Sequence, residues 1–193
     1  MEMTIYFRDV DQSDPLIQDQ MREYIAALSE LPQIRHPPDF CWVNDLNAYM
    51  TGEASEEMSE DQARQAQVIA RAVQYGNKTF AEQLDVLLNI PIVKEVYGGD
   101  IVRDEHGNIL TSRCTIFVRY IDMENIAEQT QMLYDQRQVT ALYQPKVEGV
   151  AKTGQLSFFA FDEMFYYWEL VSFTATLNLV GASRLLTLAS VST

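Results

Sequence analysis

The chain has 193 residues, 47% of them hydrophobic, which is enough to bury the core of one domain. Its 28 acidic residues against 14 Lys and Arg give a formal net charge of −14. This balance argues against a nucleic-acid partner, because phosphate neutralisation needs clustered basic residues, and against docking on anionic lipid headgroups. The start MEMTIYFRDV lacks the basic and then apolar pattern of a signal peptide.

The first half of the chain predicts one strand followed by helices. The alternation in MTIYFRDV predicts a strand over 3–10, and Ser13 or Asp14 can cap a helix that runs from Pro15 to about Leu31. The residues predicted to face inward on this helix are Leu16, Ile17, Met21, Tyr24, Ile25 and Leu28. A short strand or turn leading into a short helix is expected over 39–50, then helices over 60–75 and 79–89, the last ending at Pro91.

The second half predicts three strands around one helix. IVRDEHGNIL is typical of a hairpin that turns through His106, Gly107 and Asn108, and SRCTIFVRYI predicts a strand over 112–121. A helix is expected over 123–142, a strand over 156–161 and a further helix from about Asp162. The inward candidates on the first of these helices are Ile126, Met132, Leu133 and Val139. Without a largely helical insertion at about 44–100, the order is β-α-β-β-α-β, which predicts an α+β fold of ferredoxin-like arrangement.

No residue pattern in the chain indicates catalysis, a cofactor or a metal. The two histidines, His36 and His106, lie beside prolines and in the hairpin turn, where histidine is usually solvated. DVDQSD resembles the start of a calcium loop, but Asp14 occupies the glycine position and Gln20 the position of the bidentate glutamate. We interpret it as a polar turn that caps the following helix. The acidic residues of the segment 52–62 are interpreted as a solvated loop and helix start; they are Glu53, Glu56, Glu57, Glu60 and Asp61.

Cysteine and arginine give two structural expectations. Cys41 and Cys114 either pair in an oxidising compartment or stay buried and reduced, and their spacing is compatible with both. Arg113 in the predicted strand and Arg137 in the predicted helix are expected to form structural ion pairs with acidic residues.

The most unusual stretch is FFAFDEMFYYWE at 158–169, in which seven of twelve residues are aromatic. It is followed by LVSFTATLNLVGAS at 170–183, which has no formal charge but is shorter than the 18–20 residues that span a bilayer. A core helix and a membrane-bound helix both remain open for this segment. Its apolar character all round and its small residues favour the membrane alternative, and the end at Thr193 suggests a truncated membrane helix.

Several stretches, in this order, resemble the second extracytoplasmic domain of the Patched and Niemann–Pick type C-like permeases, which are sterol-sensing-domain-related members of the resistance–nodulation–division superfamily. The resemblance is carried by MTIYFRDVD, SDPLIQDQMREYIAAL, FCWVNDLNAYM, FAEQLDVLLN, GGDIVRDEHGNILTSRCTIFV and FFAFDEMFYYWELVSFTATLNLVGA. It covers most of the chain and implies a porter-type domain over 1–165 and an apolar helix over 166–193.

The resemblance implies a domain or fragment of a permease that moves a sterol or other lipid-like substrate, on the extracytoplasmic side of a membrane. The expected partners are the rest of a multi-pass permease or a second copy of the domain, with a lipid or sterol ligand. It implies a substrate path or membrane interface at Phe158, Phe161, Phe165, Tyr166, Tyr167 and Trp168. Glu169 matches an acid at the junction with the membrane helix. The alternative is a free-standing soluble, acidic α+β interaction module without catalysis.

Overall fold

The computed structural model describes residues 2–36, 38, 41–51, 60–76, 78–122, 124–146 and 156–170. Within them the chain is α+β, with one four-stranded antiparallel sheet and seven helices. The strands are β1 (Glu2–Arg8), β2 (Ile101–Arg103), β3 (Ile109–Phe117) and β4 (Phe158–Phe161). They lie in the order β2-β3-β1-β4, and each neighbouring pair is antiparallel.

Most helices lie between the first two strands. They are α1 (Pro15–Ser29), α2 (Trp42–Thr51), α3 (Glu60–Gln74), α4 (Phe80–Leu88) and α5 (Pro91–Tyr97). Helix α6 (Ile126–Leu142) connects β3 to β4, and the last described helix, α7, covers 163–170. The predicted α+β class is confirmed, and helix α5 was not predicted from the sequence. Pro91 does not simply end the preceding helix: it is the first residue of α5, a position that proline favours because no N–H is required there.

Capping residues in the sequence determine where two helices begin. Asp14 is the N-cap of α1 and accepts a hydrogen bond from the Leu16 amide, so DVDQSD is the polar turn that its sequence predicted. Thr79 and Glu82 form a reciprocal capping box at the start of α4. Gly107, at φ 85°, completes the turn between β2 and β3, in the left-handed region that glycine enters without steric cost.

The core lies against one face of the sheet, which we call the covered face. The side chains that form the covered face are all buried: Met3, Ile5, Phe7, Cys114, Ile116, Phe158 and Ala160. Tyr24 of α1 joins helix to sheet: its ring centroid is 6.3 Å from that of Phe7 and 5.9 Å from that of Phe158. Because side chains alternate along a strand, the neighbouring residues form a second, open face, which is half-buried or exposed.

Two predicted core positions are wrong. Leu16 in the first turn of α1 is 69% exposed and Ile126 at the start of α6 is 41% exposed. Both occupy the first turn or first residue of their helix, where a side chain on the apolar stripe extends past the edge of the sheet it would cover. The other inward residues of α1 are buried, as the helical period predicts.

Candidate functional site: a groove along the edge of β4

The open face of the sheet carries an aromatic cluster, which we define as Tyr6, Phe159 and Phe161. The rings of Tyr6 and Phe159 stack at a centroid distance of 5.1 Å, because the two residues are directly opposite each other in the β1–β4 pair. The Arg8 guanidinium lies 5.0 Å from the centroid of the Phe159 ring, within the range of a cation–π contact. Phe161 is 46% exposed. The face therefore presents apolar surface with a cation at one side.

A groove of about 530 Å³ runs from this cluster along the outer edge of β4 to helix α6, and we call it the edge groove. It is lined by Arg8, Gln136, Arg137, Thr140, Ala141, Leu156, Phe159 and Ala160. A cavity of this size is in the range that holds small organic ligands. Its lining combines an apolar floor, two buried polar side chains and two guanidinium groups.

The polar wall of the edge groove is fixed by hydrogen bonds. Gln136 Nε2 donates to Thr140 Oγ1 at 2.9 Å and to the Ala160 carbonyl at 3.2 Å, and Thr140 Oγ1 is 2.7 Å from the Tyr24 hydroxyl. Gln136 and Thr140 are 4% and 3% exposed, so these bonds satisfy groups that would be costly to bury unpaired. Burial raises the pKa of the Tyr24 hydroxyl, and its hydrogen bonds with Thr140 and Gln136 act in the opposite direction.

A second glutamine closes the hydrogen-bonding edge of β4. Gln144 Nε2 donates to the Phe158 carbonyl at 2.6 Å, and the amides of Ser157 and Phe158 donate to Gln144 Oε1 at 2.9 and 3.3 Å. The side-chain amide thus takes the place of a neighbouring strand. Because Gln136 also occupies the Ala160 carbonyl, this edge has little left to offer an incoming peptide strand.

The two arginines of the edge groove are only partly neutralised. Arg8 Nε donates to the Leu156 carbonyl at 3.2 Å and lies 3.5 Å from Asp9 Oδ2. Arg137 Nη2 pairs with Glu169 Oε1 of α7. Both ion pairs are well exposed, at 38% and 62% for the side chains of Arg8 and Asp9 and at 57% and 42% for those of Arg137 and Glu169, so solvent screens them. None of the residues lining the groove is acidic, in a chain of net charge −14.

Two other grooves have a different character. One, of about 650 Å³ between α1 and the end of α6, includes Asp19, Glu23 and Lys146. The other, of about 500 Å³ at the β2–β3 turn, includes the acidic residues Asp85, Asp104 and Glu105. Carboxylates line both, so the edge groove differs from them in having cations alone.

The predicted path or interface residues do not form one surface. Phe158, Phe165 and Trp168 are buried in the core at 5% exposure or less, which corrects their prediction as ligand-facing or membrane-facing. Phe161, Tyr166 and Tyr167 are exposed. Alternation on β4 explains why Phe158 and Phe161 differ, and the helical period separates Trp168 from its tyrosine neighbours. Tyr6, Arg8 and Phe159 were missed as a group, since only the strand register brings β1 and β4 together.

The remaining predicted residues lie in ion pairs, in a disulfide and near turns. Arg113 Nε lies 2.7 Å from Asp100 Oδ1, and Arg137 pairs with the junction acid Glu169. Cys41 and Cys114 form a disulfide that ties the start of α2 to β3. His106 is exposed beside Glu105, and the ring of His36 is 5.8 Å from that of Phe117.

A half-buried carboxylate, that of Asp45, lies beside the disulfide. Asp45 Oδ2 accepts hydrogen bonds from the Cys41 amide at 2.6 Å and from the Tyr97 hydroxyl at 2.8 Å. Burial raises the pKa of Asp45, although both hydrogen bonds act to lower it. Burial, followed by the charge of Asp45, raises the pKa of Tyr97. This cluster holds the start of α2 in place.

The described residues contain no group of three or more histidine, cysteine, aspartate or glutamate side chains placed to hold a metal ion. Over the same residues, none of the helices has the length and apolarity required to cross a membrane. The predicted apolar helix beyond residue 170 and the acidic residues Glu53, Glu56 and Glu57 lie outside the described residues.

Comparisons with protein-family models, with curated proteins and with solved structures find no significant match to this chain.

Proposed function

We propose that this chain is a non-catalytic extracytoplasmic domain of a Patched-like permease that handles a sterol or other lipid-like substrate. The observation that carries the proposal is the sheet order β2-β3-β1-β4 with all neighbours antiparallel. It is the order expected when two βαβ units interleave, so it supports a ferredoxin-like arrangement with α2–α5 inserted between α1 and β2. The stretches that resemble the permease family supply β1, the β2–β3 hairpin and β4 of that sheet, together with helix α1.

The disulfide supports an extracytoplasmic location. Cys41 and Cys114 are separated by 73 positions and are both buried, at 1% and 0% exposure. Structural disulfides persist in oxidising compartments, and glutathione keeps most cytosolic thiols reduced. This bond therefore favours a domain that folds outside the cytosol.

The last described helix, α7, supports a junction between the domain and a membrane-embedded part of the permease. One residue separates β4 from α7, and α7 continues in sequence into the uncharged stretch 170–183. Tyr166, Tyr167 and Leu170 are exposed on α7 at 72%, 51% and 55%. Tyrosine favours the boundary between lipid and water, because its ring is apolar and its hydroxyl is polar. We infer that α7 leads the chain from the sheet towards a bilayer.

Thiol labelling of denatured cell extracts tests the proposal. When cells that express the natural gene product are unfolded in denaturant with a maleimide reagent present, Cys41 and Cys114 should resist labelling until a reductant is added. A Cys41→Ser variant provides the control, since it leaves Cys114 without a partner and open to labelling after unfolding. If both cysteines of the unmodified protein react without reductant, the domain resides in a reducing compartment and the proposal fails.

The flanking coding sequence gives an independent test. The permease proposal expects apolar segments of about 20 residues on both sides of the domain. A soluble interaction module, the alternative function, predicts coding sequence without such segments and a full chain that stays monodisperse without detergent.

A further inference from the structure

We propose that the edge groove binds a single anionic amphiphile, with its acidic headgroup between Arg8 and Arg137 and its apolar body over Leu156, Phe159 and Ala160. This inference adds a ligand class to the proposed function. It rests on the proposed function only for the view that the permease transports or senses this ligand. The binding chemistry itself rests on the residues that line the groove.

The charge of the groove selects an anion. The charged residues of the lining are Arg8 and Arg137, with no carboxylate among them, and planar guanidinium groups bind carboxylates and phosphates through paired hydrogen bonds. Arg8 is paired with Asp9 and Arg137 with Glu169, in ion pairs that are substantially exposed. Exposed pairs of this kind are weak, so an anionic headgroup can compete with them.

The floor of the groove selects an apolar body. Leu156 is 45% exposed, and Phe159 presents its ring beside the stacked Tyr6. Gln136 Nε2 is engaged with Thr140 and with the Ala160 carbonyl, and the Thr140 hydroxyl also contacts that of Tyr24. They therefore offer few additional contacts to a polar ligand body, and contact with carbon atoms is favoured.

The edge of β4 disfavours a peptide strand as the occupant. Strand addition would need the backbone groups of Phe158 and Ala160; Gln144 engages the amide and carbonyl of Phe158, and Gln136 engages the carbonyl of Ala160. Charge and apolar surface are therefore the contacts that the groove offers most readily, and an amphiphile uses both.

Calorimetric titration of the full 193-residue chain with octanoate tests the inference. We expect saturable binding at one site, at least about tenfold tighter than that of octan-1-ol, because charge-assisted hydrogen bonds are worth at least that factor. Octylamine should not bind, and acetate, a headgroup without a tail, should bind far more weakly. Octyl phosphate distinguishes a phosphate headgroup from a carboxylate. Equal affinity for octanoate and octan-1-ol, or equal affinity for octanoate and acetate, would overturn the inference.

Two substitutions at one ion pair should act in opposite directions. Arg137→Gln removes a cation and should weaken octanoate binding at least about tenfold, whereas Glu169→Gln frees Arg137 from its carboxylate and should tighten it. A purely structural role of the pair would give the same direction for both. Arg113→Gln is the matched control, because Arg113 lies on the open face outside the edge groove and pairs with Asp100.

A blocking variant keeps the test independent of the charges. Ala141 is exposed and lines the groove, so Ala141→Trp should fill it without disturbing the core and abolish octanoate binding. Unchanged affinity in this variant, with a near-ultraviolet circular dichroism spectrum that shows a folded chain, would refute the site. Such a result would refute the ligand site without affecting the permease proposal. Reduced cysteines in cells would refute the permease proposal, and the titration result would remain valid.

Discussion

The covered and open faces of the sheet are made by the same strands and have opposite properties. Along β1, Met3, Ile5 and Phe7 are fully buried, whereas the intervening Thr4 and Tyr6 are half-buried. The covered face contacts the helices and holds one end of the disulfide, at Cys114. The open face carries the aromatic cluster and Arg8. Successive residues of one strand therefore differ in role: one set stabilises the core, and the other lies on the face beside the proposed ligand site.

The largest test of this difference compares two adjacent residues of β1. Phe7→Ala should lower the free energy of unfolding by about 3–5 kcal/mol, because it leaves a cavity beside Tyr24 and Phe158. Tyr6→Ala should cost no more than about 1.5 kcal/mol, mainly the stacked contact with Phe159. Urea denaturation measures both. Equal losses would show that the open face is as tightly packed as the covered one.

The disulfide should stabilise the folded chain almost as much as the Phe7 side chain does. Replacement of Cys41 and Cys114 by serine should lower the free energy of unfolding by about 4 kcal/mol, since the bond closes a loop with a sequence separation of 73. Denaturation of the native chain with and without reductant checks the value. In the double variant, reductant should have no further effect, and an effect there would point to a cause other than this bond.

Removal of the side chain that covers the edge of β4 should have a smaller effect on stability and should also change self-association. Gln144→Ala should cost about 1–3 kcal/mol, because backbone groups of Ser157 and Phe158 lose their partner. The exposed edge should also promote self-association, detectable by sedimentation velocity. The control is Gln131→Ala. The Gln131 amide is exposed and donates to Asp135 of the same helix, so the change should alter stability by less than about 0.5 kcal/mol.

The smallest effect is a change in the pH dependence of stability. Because burial raises the pKa of Asp45, the folded chain holds a proton that the unfolded chain releases. The resulting stability is fully present below the unfolded pKa, near 3.8, and is lost as the pH rises through the folded pKa. Asp45→Asn should abolish this loss, so the variant should gain stability relative to the native chain as the pH rises. Parallel curves of unfolding free energy against pH would contradict the assignment.

The sequence was most informative where a local signal decided the structure. Asp14 and Thr79 mark helix starts through their capping side chains, and Gly107 marks the hairpin turn. The helical period placed Ile17, Met21, Tyr24, Ile25 and Leu28 in the core. It failed at Leu16 and Ile126, where the helix extends beyond the surface that would bury it. Pro91 was ambiguous in sequence, because proline fits both the end of one helix and the start of the next.

The candidate site depended on contacts between residues far apart in sequence. Tyr24 and Thr140 are 116 positions apart, and Arg8 and Leu156 are 148 apart. Gln136 and Gln144 looked like ordinary polar residues of a helix and its end, and only the position of β4 beside them gives their amides a role. The aromatic density of 158–169 was evident from sequence, but not its division into buried and exposed members.

By itself, the sequence determined the α+β class, the capping and turn residues, and the absence of recognisable catalytic motifs. These follow from local backbone preferences and from the periods of apolar residues, which act over a few positions. Only the tertiary structure decided the strand order, the pairing of Cys41 with Cys114 and the groove between Arg8 and Arg137. Each of these depends on which segments meet in space, and that is fixed by burial of the whole covered face rather than by any single stretch of residues.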